Sequence, residues 1–160
     1  MAYDSKATEQ LDEPDRILIA RLADDARASW AELALELGLS APAVAERVKR
    51  LKQRGIIRGF HAVMDPPSLG FHLTAFIAVT LTHPRDRAAF LKVIRKQGEV
   101  MEAHHLAGED DYLLKVHCRD TSHLEHFLTD ILKSVPGVQR TRTSIVLGTA
   151  KESVTVLPME

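Results

Sequence analysis

The chain contains one cysteine, Cys118, so no intrachain disulfide can form, and this usage fits a reducing compartment. Long apolar runs are missing too: none approaches the roughly 20 residues that a membrane-spanning helix needs. The opening MAYDSKATEQ is polar and lacks the apolar centre of a signal peptide. A cytoplasmic protein without a membrane partner is the expectation. There is no surplus of one charge. A formal net charge of −1 excludes indiscriminate polyanion binding over the whole surface, and leaves attraction to nucleic acid to local asymmetry. Catalytic fingerprints are absent as well: no nucleophile elbow, phosphate-binding loop or dinucleotide motif occurs. Nor is there a CxxC or HExxH spacing among the eight histidines. His104–His105 and His117–Cys118 are neighbours on strand patterns and point to opposite faces, and the i, i+3 pair His123/His126 has no evident third ligand. No metal, no cofactor and no catalytic residue is expected.

With 160 residues, 45% of them hydrophobic, the chain can bury one core or two small ones. The most informative stretch is 29–58, SWAELALELGLSAPAVAERVKRLKQRGIIR. Ser29 and Glu32 fit a capping box, Leu33, Ala34 and Leu37 recur at helical spacing, and Gly38 supplies a left-handed stop. Ser40 then caps a second helix whose Pro42 lies in the first turn, where a missing N–H costs nothing. Before these, residues 12–26 read as a helix with acids in its opening turn and Leu18, Ile19 and Leu22 buried, with Trp30 as a lid over the three-helix unit. The segment 41–54 has the form of a recognition helix. Ser40, Pro42, Ala43, Glu46, Arg47 and Arg50 fall on its first turns or on the side assigned opposite Val44, Val48 and Leu51. They are the expected DNA contacts, with Arg47 forking to guanine. Lys49, Lys52, Arg54 and Arg58 suit phosphates. The competing reading is an ordinary solvated basic helix face.

Beyond Gly55 the segment 56–64 (IIRGFHAVM) is β-rich and reads as an exit strand, and Asp65-Pro66-Pro67-Ser68 as a stiff linker. The domain expectation is therefore a disordered tail at 1–10, a helix-turn-helix domain at 11–64, a linker at 65–72, a second domain at 73–148 and a tail at 149–160, in which Val154-Thr155-Val156 could pair with a sheet edge. In the second domain, strand patterns over 73–82, 100–107, 112–118 and 138–147 and helical patterns over 85–97 and from Thr121 or Ser122 alternate as βαββαβ. That order is the ferredoxin-like arrangement, and the whole chain is α+β. Helices cover one sheet face. The other, including Phe76, Ala78 and Val146, reads as apolar or neutral and suits a dimer contact. The turn between the middle strands, Gly108-Glu109-Asp110-Asp111-Tyr112, sets three carboxylates side by side, which repel unless a positive group balances them. An ammonium group would do so while the turn's N–H groups hold a carboxylate, the two ends of an α-amino acid. The alternative is an acidic surface turn.

The phrases LDEPDRILIARLADDARAS, ELALELGLSAPAVAERVKRLKQRGIIRGFHAVMDPPSLG, AGEDDYLLKV and PGVQRTRTSIVL together resemble the Lrp/AsnC family of transcription regulators, over residues 11–147. The resemblance implies a (winged) helix-turn-helix domain, a ferredoxin-like effector domain, and dimers that assemble into octamers or other even states. It implies double-stranded DNA and an amino-acid effector as partners. It also implies an effector pocket between protomers, carried here by His105, Gly108, Asp110, Asp111 and Tyr112, with Thr143, Ser144, Ile145 and Val146 on the far side. The expected function is a sequence-specific DNA-binding regulator whose assembly or DNA binding responds to that effector. The alternative is a small amino-acid-acting enzyme or a stand-alone amino-acid-binding module.

Overall fold

The computed structural model describes residues 11–153, 155 and 156. The expected tail at 1–10 and Val154 of the β-prone triplet lie outside the described residues, and Thr155 and Val156 join no strand. The chain divides into two compact units, one holding residues up to Ala62 and the described residues from Lys151 on, the other Val63–Ala150.

In the first unit α1 is Glu13–Asp24, α2 is Trp30–Leu37 and α3 is Ala41–Gln53. Each starts on an N-cap legible in the sequence. Asp12 accepts the Asp15 N–H at 2.9 Å, and Ser40 Oγ accepts the Ala43 N–H at 3.3 Å. Ser29 and Glu32 form the reciprocal box, at 3.2 and 2.8 Å. The turn between α2 and α3 is a Schellman closure: the Leu39 N–H reaches Ala34 O, the Gly38 N–H reaches Leu35 O, and Gly38 has φ +63°. Leu18, Leu22, Leu33, Ala34, Val44 and Val48 make the core. Trp30 is not the expected lid. It stands at the first position of α2 and is 38% exposed, and the residues one turn on, Leu33 and Ala34, fill the centre instead. The expected exit strand at 56–64 is also corrected, because among the described residues that segment pairs with no other strand. A β-rich composition cannot supply the neighbouring backbone that a ladder requires.

The second unit has β1 at Leu73–Leu81, α4 at Arg87–Ile94, β2 at Val100–His105, β3 at Tyr112–Cys118, α5 at Thr121–His126 and β4 at Val138–Ile145. A π-helical turn, Phe127–Leu132, continues α5. The sheet order is β2-β3-β1-β4, all antiparallel, which is the ferredoxin-like topology. Ala75, Ile77, Val79 and Leu81 of β1 pack with Tyr112, Leu114, Val116 and Cys118 of β3 against Phe90, Ile94, Leu124, Phe127 and Leu132 of the helical layer. Asp120, not Thr121 or Ser122, caps α5, its carboxylate accepting the His123 N–H at 2.7 Å.

The other sheet face is not neutral. Phe76, 38% exposed, and the buried Ala78 run along its middle. The register places Glu102, His104 and Lys115 on one flank and Arg140 and Arg142 on the other. The three other strands supply the charge that β1 lacks, which the pattern of β1 alone does not contain.

Cys118 is fully buried at the end of β3. Burial first, and then the charges of Glu99 and Asp120, push its thiol up to about 11. The thiol is expected to resist a disulfide reagent at neutral pH in the folded protein and to react at once when the chain is unfolded by urea. Rapid labelling of the folded chain would contradict this burial.

Candidate functional site

Helix α3 turns Val44, Val48 and Leu51 inward. At 100° per residue the opposite side carries Pro42, Glu46, Lys49, Arg50 and Gln53, all exposed, with the half-buried Ala43 beside them. Arg47 does not belong to this side. It lies three residues after Val44 and four before Leu51, which is the flank of the buried stripe. Its guanidinium Nη1 donates to Asp12 Oδ2 at 2.7 Å and to Asp15 Oδ1 at 2.8 Å, and only 20% of the side chain is exposed. The expectation that Arg47 forks to guanine is therefore corrected: it fastens α3 to the start of α1. Asp15 is 9% exposed in its side chain and also has Arg54 at 3.9 Å, so Arg54 too is directed inward. Burial works to raise the Asp12 carboxyl, but the hydrogen bonds from Arg47 and from the Asp15 N–H, with the charges of Arg47 and Arg50, hold it below the usual carboxylate range.

The cations left to face outward are Lys49 and Arg50. Lys49 has a surface pair with Glu46 at 3.3 Å, of the kind that contributes little. Lys52 lies over the Phe60 ring at 5.8 Å. The hydroxyl of Ser40 is spent as an acceptor within its cap but keeps its proton to donate. Gln53 was missed, although its spacing of three, four and seven from Arg50, Lys49 and Glu46 places it on the same face.

In the second unit the hairpin between β2 and β3 folds over the end of β1. The Asp111 N–H donates to Val79 O at 2.9 Å, and the Leu81 N–H donates to Asp111 Oδ2 at 2.7 Å. Asp110 is buried, 7% exposed. Its carboxylate accepts from Thr80 Oγ1 at 3.1 Å and from Arg142 Nη2 at 2.6 Å, with Arg140 at 3.6 Å. The inference that these acids need a ligand's ammonium is thus corrected for Asp110: two arginines of β4 balance it, reaching across β1. Tyr112 lies on the helix side, its ring 4.9 Å from Phe90 and 5.2 Å from His105, and its buried hydroxyl has no hydrogen-bond partner among the described residues. His105 and Gly108 are exposed.

Within one chain Ile145 and Val146 do not join this group, whereas Thr143, opposite Ile77 and next to Arg142, lies nearer to it. Ile145 pairs with Ala75, whereas the hairpin sits at Val79–Leu81. The separation is up to six residues along β1, roughly 20 Å at about 3.3 Å per residue. Among the described residues no three His, Cys, Asp or Glu side chains converge as a metal site. No helix there is long and apolar enough to cross a membrane.

A capped helix-turn-helix with an outward basic face, followed by a ferredoxin-like sheet unit, defines a two-part DNA-binding regulator. The AsnC-type helix-turn-helix domain matches residues 11–52, and the Lrp/AsnC ligand binding domain matches residues 74–156. The chain belongs to the Lrp/AsnC family, and is a DNA-binding transcriptional regulator. It is 41% identical to the HTH-type transcriptional regulator LrpA of Mycobacterium tuberculosis, over 88% of this chain and 93% of that one. Among solved structures it resembles a transcriptional regulator of Neisseria meningitidis in complex with L-methionine, at 33% identity and TM-score 0.87, covering 92% of this chain and 96% of that one. E. coli AsnC is equally similar in shape, at 32% identity and TM-score 0.87, over 93% and 99%.

The inward position of Arg47 leads to a stability prediction. Arg47→Ala leaves the buried Asp15 carboxylate with Arg54 alone and is expected to destabilise the helical unit by about 2–3 kcal/mol, measured by urea unfolding at neutral pH. The Asp12 share has a definite pH sense. A carboxyl held low in the folded state stabilises above its unfolded pKa, and that share is lost as pH falls through the folded value. Unchanged stability with lost DNA affinity would return Arg47 to the reading face.

Proposed function

We propose that this regulator binds its operator sequence-specifically as an even homo-oligomer and changes its assembly or DNA affinity on binding an amino acid. The observation that carries the DNA half is the outward face of α3. Its exposed side chains are a short, mixed set able to discriminate bases: Glu46 can accept from cytosine, and Arg50 can fork to guanine. Pro42 and Ala43 give the closest approach, and Ser40 with the N–H groups of the first turn can meet a phosphate. Lys49 and Lys52 add sequence-blind attraction to phosphates, whereas Arg54, expected to do the same, is directed toward Asp15.

Dimerisation through the open sheet face fits its pattern, an apolar strip at Phe76 and Ala78 between two charged flanks. A dimer presents two recognition helices at fixed separation, matching half-sites about one helical turn or a multiple of it apart. For the effector, the N. meningitidis relative holds L-methionine. In this chain His105, Gly108, Asp110, Asp111 and Tyr112 are the proposed site, with Thr143, Ser144, Ile145 and Val146 reaching it from a second protomer. The Asp110 carboxylate is already paired, so the exposed backbone about Gly108 and the neighbouring Asp111 are the better placed groups for an amino acid's two ends.

Arg50→Ala is expected to weaken binding to the chain's own promoter region about tenfold, and to leave stability within about 0.5 kcal/mol. Fluorescence anisotropy with a labelled duplex measures the first and urea unfolding the second. Undiminished affinity and footprint would remove Arg50 from the interface. Light-scattering mass with and without a panel of amino acids, L-methionine included, is expected to show an even oligomer that changes size or promoter affinity with at least one of them. A monomer indifferent to every amino acid would refute the regulatory half.

A further inference from the structure

A second basic concentration lies far from α3 in sequence. Residues 84–96 (PRDRAAFLKVIRK) hold five basic side chains and one acid, in a chain whose net charge is −1. Three of the five border a cleft of about 430 Å³ lined by Pro84, Arg85, Arg87, Ala88, Leu91 and Arg95. Its size falls in the range of small-ligand sites, roughly 300–1,000 Å³. Pro84, Ala88, Leu91 and Arg95 follow one another at helical spacing, so the cleft runs along a stripe of α4 turned away from Phe90 and Ile94, the residues that α4 buries in the core.

Two features make this more than a solvated basic face. No carboxylate lines the cleft. The one acid in the segment, Asp86, is turned away: its side chain packs on Gly137, where an added Cβ would clash with it. None of Arg85, Arg87 and Arg95 forms an ion pair among the described residues, and Arg87 is placed by the buried Tyr112 ring, 6.0 Å beneath its guanidinium carbon. Three guanidinium groups therefore surround a small apolar floor with no counter-charge. A single carboxylate would leave two of them unbalanced. A phosphate monoester, with a charge of about −2 and three acceptor oxygens, suits planar guanidinium donors better.

We propose that the cleft between Arg85, Arg87 and Arg95 binds a small organic phosphate, its phosphoryl group on the arginines and its organic body on Pro84, Ala88 and Leu91. This site meets the proposed effector site at Tyr112, whose ring lies under Arg87, but does not depend on an amino acid binding there. AMP is a suitable probe, with adenosine and inorganic phosphate as its two halves. Titration calorimetry on the full chain is expected to show saturable AMP binding, weaker binding of inorganic phosphate and none of adenosine. The variant Arg85→Gln/Arg95→Gln changes two exposed side chains, spares Arg87 on its ring, and is expected to lose about tenfold or more in AMP affinity at unchanged thermal stability. Absence of saturable AMP binding, or equal affinity in the variant, would overturn the site. Inorganic phosphate binding as tightly as AMP would overturn the role of the apolar floor. If the variant instead weakened promoter binding at matched salt while AMP did not bind, the patch would be a contact for duplex phosphates and the small-ligand proposal would fall.

Discussion

Strand β1 is the constraint on which the second unit depends. Its nine residues, Leu73–Leu81, carry no charge and are paired along both edges, to β3 and β4. One face supplies Ala75, Ile77, Val79 and Leu81 to the core under α4 and α5. Its end supplies Val79 O, the Leu81 N–H and Thr80 Oγ1 to the hairpin acids. A strand buried this way must be apolar on both sides, and the charges that shape the open face are carried by its neighbours. The hairpin is thus held by a core strand as well as by its own turn.

Charge on a helix has no meaning until its face is known, and α3 shows this within a single turn. Arg47 and Arg50 are three residues apart and carry the same group. One is drawn onto Asp12 and Asp15, and the other is exposed. Arg47 holds the helix in place against α1, and the residues proposed to read DNA would then do so from a fixed platform. A rigid platform matters because base discrimination rests on placing donors to within a fraction of an ångström.

Most of the fold was legible before the structure, because it rests on local signals. The capping box Ser29/Glu32, the Gly38 stop and the alternation of Leu73–Leu81 each name an element from neighbouring residues alone, and the βαββαβ order follows from them. The misses involve relations that are not local. Segment 56–64 has a strand's composition, but a strand exists only beside another strand. Asp110 looked unbalanced because its partners, Arg140 and Arg142, are some thirty residues on, and only the register of β1 with β4 brings them to it. Arg47 is a different case. Its spacing from Val44 and Leu51 already puts it on the flank of the buried stripe and not on the outer face.

The paired state of Asp110 also bears on how an amino acid could act. A buried carboxylate held by Arg142 and Thr80 is costly to release, since breaking the pair strands a charge away from water. An effector that had to displace Arg142 would spend its binding energy on that step. One that used the exposed turn backbone near Gly108 would leave the latch closed, and could bind only where a second surface completed the site. Ile145 and Val146 lie up to roughly 20 Å along the strand from the hairpin of their own chain, so in the proposed assembly they would reach it from another copy. On that proposal coupling to assembly would need no separate device, because a ligand held by two protomers binds the assembled state better than the separated one, and differential affinity of that kind is what shifts an equilibrium.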